Sequence, residues 1–343
     1  MLTEAAGPVV RPALSRRAVG LVAGLAVLAL VLFLSVSVGT RSIPLGTVWD
    51  AIVHFDGSPD QLVVRDLRVP RTVLGLAVGA ALGLAGALMQ ALTRNPLADP
   101  GILGVNAGSA LAVVCAIAFF GVSTLTGYVW FALAGALIAT VLAYTLGSVG
   151  RSAATPVRLA LAGTAIGAVL TGFTSAVVLF NQTAFNGFRA WSVGSLAGRD
   201  AGTVRQVLPF LLVGIVAALA LAGPLNAIAF GEDLARALGA HIVRTRVIGV
   251  VAVTLLCGAA TAAIGPVSFL GLTVPHIARA ITGPDHRWLL PYSMVLSATL
   301  LLGSDVVGRV VAPPGELQVG LVTTVIGAPV FVALVRRRRL AQS

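Results

Sequence analysis

The chain has 343 residues, 57% of them hydrophobic and only 10% charged, with a formal net charge of +11. Soluble domains carry about 25% charged residues, so a water-soluble globule of this composition would expose too much apolar surface to stay dispersed. All 23 basic residues are arginine, set in short clusters between apolar blocks; that arrangement is a membrane-topology signal and not a nucleic-acid-binding face.

In chain order the apolar blocks predict ten helical spans, over 18–38, 71–92, 103–121, 128–148, 158–180, 206–226, 247–265, 268–282, 289–310 and 319–335. Most approach the roughly 20 residues that an α-helix needs to cross the hydrocarbon core. The eighth is short and carries Pro275 and His276. Two-residue alternation is missing, which argues against an outer-membrane barrel. The first block has a basic leader, but its apolar run exceeds a usual signal-peptide core and no clear cleavage site follows, so it reads as an uncleaved span.

An even number of spans puts both termini on one side. With the termini inside, 15 arginines fall in inner segments and 8 in outer ones, and this excess predicts cytoplasmic termini. Eight outer arginines are still more than the rule leaves unexplained. Gly75, Gly79 and Gly83 recur at four-residue spacing, which predicts close helix packing. The second and seventh spans are five apart, so four-helix units starting at each would run in opposite senses, as in inverted-repeat transporters. Cys115 and Cys257 lie far apart in apolar segments and match no metal-ligand spacing; both read as packed core residues.

Without a lysine there can be no P-loop of the form G-x-x-x-x-G-K-[ST], so an ATP-driven process would need a separate ATPase chain. Ion-coupled carriers instead place carboxylates at mid-membrane. Asp305 is the one acidic residue placed within a span, near the outer end of the ninth, and Arg309 lies four residues on, the spacing of a local ion pair. A lone paired carboxylate is a poor ion-coupling site. The inner connection 231–246, GEDLARALGAHIVRTR, has Leu234, Leu238 and Ile242 at four-residue spacing, interrupted by Gly239. It predicts two short amphipathic helices on the membrane surface, suited to a groove on a cytoplasmic partner. Asn95, Pro96 and 99–101 predict a tight turn. His54, His241 and His286 form no ligand cluster, and His276 reads as a buried histidine.

The segment LRVPRTVLGLAVGAALGLAGALMQALTRNPLADPGILGVNAGSA (67–110) resembles the FecCD-type permeases, which import iron–siderophore complexes, haem and cobalamin. The motifs RAWSVGSL (189–196), ARALGAHIVRTR (235–246), GPVSFLGLTVPHIAR (265–279), DHRWLLP (285–291) and GELQVGLVTTVIGAPVFVALV (315–335) follow in the family's order. The resemblance implies a type II ABC importer permease: an all-α polytopic membrane protein of about ten transmembrane helices in a single domain, 1–343. A cytoplasmic tail covers about 1–17, and cytoplasmic coupling helices cover about 231–246.

The partners it implies are two cytoplasmic ATP-binding subunits, an extracytoplasmic substrate-binding protein and a second permease subunit, identical or paralogous, within the cytoplasmic membrane. It implies no cofactor, no metal site and no covalent chemistry by this chain. The family's docking arginines, which pair with glutamates on the binding protein, fall on Arg68, Arg71 and Arg309. Guanidinium forks suit that role. The coupling signature falls on Leu234, Ala237, Leu238 and Gly239. The inner gate falls on the loop entering the fifth span, with Thr155 and Pro156 as candidates, although Pro156 and Val157 stand where the family can carry small hydroxyl residues. Iron–siderophore is the expected cargo. Haem or cobalamin is the alternative within the same architecture, and an ion-coupled secondary transporter is the alternative from another class.

Overall fold

The computed structural model describes residues 13–148, 156–237, 239, 241–312 and 315–340. Among these every regular element is helical. In chain order they are α1 (Ala13–Ser37), α2 (Leu45–Val53) and α3 (Pro59–Leu62). A π-helical stretch, Val63–Arg68, then leads into α4 (Val69–Thr93). After a 3-10 turn at Pro100–Leu103 come α5 (Val105–Phe120), α6 (Leu125–Ser148), α7 (Pro156–Phe180), α8 (Gln182–Ser192) and α9 (Ala201–Ala220). The remainder is α10 (Ala222–Ala229), α11 (Glu232–Ala237), α12 (Ile242–Ile264), α13 (Leu270–Thr282), α14 (His286–Val311) and α15 (Val319–Leu340).

Nine of the ten expected spans fall on one helix each, and the sixth, 206–226, runs past the end of α9 into α10. Seven are long and apolar enough to cross a membrane, while α5 and the apolar part of α15, Val319–Ala333, are shorter. The 13-residue α13 is about 20 Å long at 1.5 Å per residue, less than the roughly 30 Å hydrocarbon core. Its short reach has a local cause. Gly265 ends α12 and Phe269 opens α13 with a φ of 69°, and the chain between them is not helical.

Burial sorts the helices into a centre and a rim. Of the apolar window of α4, 83% is buried, against 72% for α12 and 11% for α1. The helices α4 and α12 pack on each other, α9 packs on both, α14 covers α4 and α6 covers α12. Likewise α5 packs on α6 as α13 packs on α14. This pairing supports two oppositely running units, α4–α7 and α12–α15, as the topology predicted.

The close approach expected from the glycine row is present. A Cβ on Gly79 would lie 2.5 Å from the Ala298 Cα, and one on Gly83 2.2 Å from the Ser293 carbonyl oxygen. Backbone therefore meets backbone between α4 and α14. This is how helices gain dispersion contacts in a solvent that gives no hydrophobic drive between them.

Turn chemistry sets the breaks. The Asn95 side chain accepts from the Leu97 N–H at 2.9 Å and Asp99 from the Gly101 N–H at 2.8 Å, so this segment closes on itself as the sequence implied. Side-chain oxygens of Asn181, Asp200 and Asp285 cap the N-termini of α8, α9 and α14, each satisfying a donor that the first helical turn leaves open.

Candidate functional site

At the end of the bundle where α1 finishes and α4 begins, the three expected docking arginines converge on one cavity of about 270 Å³. Arg68, Arg71 and Arg309 line it together with Arg41, Arg199 and Glu316. The convergence follows from the fold. Arg68 closes the π-helical stretch, Arg71 sits in the first turn of α4, and Arg309 sits near the end of α14, the helix that covers α4.

The guanidinium groups do different things. Arg68 is 5% exposed. It donates to the carbonyls of Val36 and Ser37 at 3.0 and 2.6 Å and to that of Arg41 at 2.6 Å. It thereby satisfies acceptors that the last turn of α1 leaves unpaired, and its charge complements the negative end of that helix dipole. Arg309, 2% exposed, donates to the carbonyls of Ser35 and Val38 at 2.8 and 2.9 Å. It also pairs with Asp305, the i,i+4 ion pair predicted from the sequence. Both arginines thus hold the end of α1 against α4 and α14.

Arg71 bridges two carboxylates, Asp305 at 2.7 Å and Glu316 at 2.8 Å. Asp305 is buried while Glu316 is 27% exposed, so only one of the two bridges lies within reach of solvent. Nearby, the Arg65 guanidinium stacks over the Phe55 ring at 4.5 Å.

Three charged members of the cavity, Arg41, Arg199 and Glu316, are not singled out by the sequence. Arg199, in the loop between α8 and α9, was counted only as an outer arginine. It is 4% exposed and its Nε donates to the Ser195 carbonyl at 3.2 Å. Burial pushes its guanidinium down to about 10, so it stays protonated at neutral pH. Glu316 lay unremarked in the segment before the last span. A pairing of residues 245 apart leaves no periodicity to read.

At the opposite end, the coupling segment departs from the expected pair of surface helices. α11 is a short helix of six residues, and α12 already begins at Ile242. Ile242 is therefore the first residue of a spanning helix. It is buried with Ile228 and Ala235, whereas Leu234 is 50% exposed. Leu234 and Ile242, eight residues apart, do not share one helical face, because Gly239, with a φ of 81°, turns the chain between them. Leu234, Ala237 and Gly239 are exposed; Leu238 lies outside the described residues. Asn226 fixes the base of this segment. Its amide donates to Asp285 at 2.6 Å and its oxygen accepts from the His286 N–H at 2.8 Å, which ties α10 to the start of α14.

Of the gate candidates, Thr155 lies outside the described residues and Pro156 is the first residue of α7. Proline at that position suits a helix start, since its missing N–H has no intrahelical partner there. His276 is buried within α13. Among the described residues no group of three or more His, Cys, Asp or Glu is placed to hold a metal ion.

Comparison with known proteins places this geometry in context. The chain is 48% identical over 305 residues to the ferric enterobactin transport system permease protein FepD of Escherichia coli (strain K12), covering 89% of this chain and 91% of that one. It is 41% identical over 320 residues to the iron(3+)-hydroxamate import system permease protein FhuB of Bacillus subtilis (strain 168), covering 93% and 83%. Its fold matches a solved structure described as an inward-facing conformation of a metal-chelate type ABC transporter, with a TM-score of 0.81, 26% identity and coverage of 93% and 99%. Residues 27–337 match the model of the FecCD transport family, and the chain belongs to that family.

Proposed function

We propose that the chain is the membrane-spanning permease subunit of an ATP-binding-cassette importer that carries an iron–siderophore complex across the cytoplasmic membrane, with both termini cytoplasmic. The observation that carries the reading is 48% identity, over nearly the whole chain, to a ferric enterobactin permease. The sequence supports it by lacking a P-loop lysine; in this reading ATP hydrolysis belongs to two separate subunits, assembled with a second permease copy or paralogue.

In this reading the arginine-lined cavity is the docking end. An extracytoplasmic binding protein offers carboxylates, and Arg71, whose Glu316 bridge reaches solvent, exchanges partners with them. Arg68 and Arg309 act by holding the rim that presents Arg71. At the other end Leu234, Ala237, Leu238 and Gly239 form the socket for an ATPase subunit, and the start of α7 at Thr155 and Pro156 forms the inner gate. The chelate already fills the coordination sphere of the iron, so the permease needs no metal ligand of its own.

Proteoliposomes test the assignment. Uptake of a ferric siderophore should require the ATPase chain, the binding protein and ATP, and should persist when ionophores collapse the ion gradients. Gradient-driven uptake by this chain alone would establish the secondary-transporter alternative instead. Uptake of haem or cobalamin but of no siderophore would correct the cargo and leave the architecture standing.

A further inference from the structure

Helix α2, in the connection that precedes α4, has three faces. Val48 and Ala51 point inward and join Ile43 and Val64 in a small core that also holds Val36 and Val69. Asp50 and Thr47 lie on a polar side. The third side carries Leu45, Trp49, Ile52 and Val53, at the i, i+4, i+7 and i+8 spacing of one helical stripe, and these side chains are between 49% and 65% exposed. Phe55 continues that apolar surface just past the helix, with Arg65 stacked on its ring.

The position of α2 identifies what covers this stripe. Val36 lies in the last turn of α1 and Val69 is the first residue of α4, so the small core holds α2 level with the ends of two membrane spans. That is the depth of a lipid headgroup layer. Tryptophan and phenylalanine are enriched there, and an arginine can reach phosphate from an apolar footing. A soluble protein that docks and leaves would return four large apolar side chains to water in every cycle, whereas a bilayer covers them throughout.

We propose that α2 is an interfacial anchor. Its Leu45–Trp49–Ile52–Val53 stripe is embedded in the membrane leaflet at the end where α1 finishes, and Phe55 and Arg65 sit at the headgroup boundary. The anchor fixes the height of the π-helical stretch that presents Arg68, so it sets the arginine cavity relative to the membrane surface. The inference needs only that the chain spans a membrane; it is independent of cargo and partners.

The test uses full-length protein in phosphatidylcholine vesicles whose acyl chains are brominated close to the headgroup. The emission lost on Trp49→Phe, taken as wild type minus variant, isolates Trp49 from Trp130, Trp191 and Trp288. Brominated lipid should quench most of that difference emission, and aqueous iodide should leave it nearly unchanged. Quenching by iodide and not by bromine would place the stripe in water and overturn the proposal. Protection from both quenchers would place the stripe under protein and overturn it equally. A nitroxide at Ile52→Cys, in a background lacking Cys115 and Cys257, gives a second measurement. Its relaxation should respond to oxygen far more than to a water-soluble nickel complex, and the reverse order would refute the anchor.

Discussion

Replacing Gly83 by alanine adds one methyl group where the structure has no room for it. The new Cβ would sit 2.2 Å from the Ser293 carbonyl oxygen and 2.6 Å from the Ser297 Cβ, against an ordinary contact of 3.4–4 Å. Neither neighbour is the free end of a flexible side chain, so a rotamer change cannot relieve the clash. Helices α4 and α14 must move apart by roughly 1 Å, loosening the pair on which the most buried helix rests. Overpacking of this kind costs about 1–3 kcal/mol, and a rigid backbone contact belongs at the upper end. At roughly 2–4 °C per kcal/mol for a large domain, the apparent Tm should fall by about 5–10 °C. Gly303, on the same helix α14, is the control: a Cβ there meets nothing within 4 Å. Its change to alanine should leave the apparent Tm unchanged or raise it slightly, since alanine is favoured over glycine in a helix by about 0.5–1 kcal/mol. Thermal unfolding of both purified variants, in detergent and in lipid, reads the difference. Equal Tm values for Gly83→Ala and Gly303→Ala would refute the argument that α4 and α14 are in backbone contact.

Three further outcomes follow from the two ends of the bundle. Asp305→Asn leaves the buried Arg309 and the neighbouring Arg71 without their shared carboxylate; breaking a buried pair from one side costs about 3–5 kcal/mol, and a wild-type apparent Tm would contradict the network. Glu316→Gln frees Arg71 from its solvent-accessible partner and adds one positive charge to the cavity, so it should tighten binding-protein docking in a surface-plasmon assay while Arg71→Glu weakens it; unchanged affinity in both would remove Arg71 from the docking surface. Leu234→Asp alters an exposed position of the coupling segment, so it should lower transport per ATP hydrolysed in proteoliposomes without moving the apparent Tm; Gly239→Val also strains a residue with a φ of 81° and should lower both, and normal coupling in both variants would move the ATPase contact elsewhere.

Much of the bundle was legible because its signals are local. The ten apolar blocks fall on helices, seven of them long and apolar enough to cross a membrane, and the spacing of Gly75, Gly79 and Gly83 announced a contact that is made against α14. Asp305 and Arg309, one helical turn apart, were readable as a pair for the same reason. What remained hidden depends on long-range placement. Arg71 meets Glu316 only because α14 packs on α4 and the chain turns back before α15. Arg199 reaches the cavity only because the loop after α8 folds under it. The amphipathic face of α2 went unassigned because its nine residues fall below the length of a span. Leu234 and Ile242 misled because helical spacing was carried through Gly239, where the backbone turns.

The outer arginines first stood out as a surplus that topology alone did not explain, and the cavity gives that surplus a physical form. Arg41, Arg68, Arg71, Arg199 and Arg309 line it with one carboxylate, Glu316, while the buried Asp305 pairs with Arg71 and Arg309. Backbone carbonyls at the end of α1 offset part of the remaining charge without carrying a full negative charge of their own. A cavity built in this way stays cationic while keeping its guanidinium groups bonded, which avoids the penalty of stranding a buried ion. It can draw an acidic partner through the long-range field and still hold its shape when the partner is gone. The proposed docking contact would then proceed by exchange at Arg71, with Glu316 as the group displaced. Docking by exchange gains less than docking onto a free cation would, and that limited strength suits the proposed release of a binding protein after each delivery.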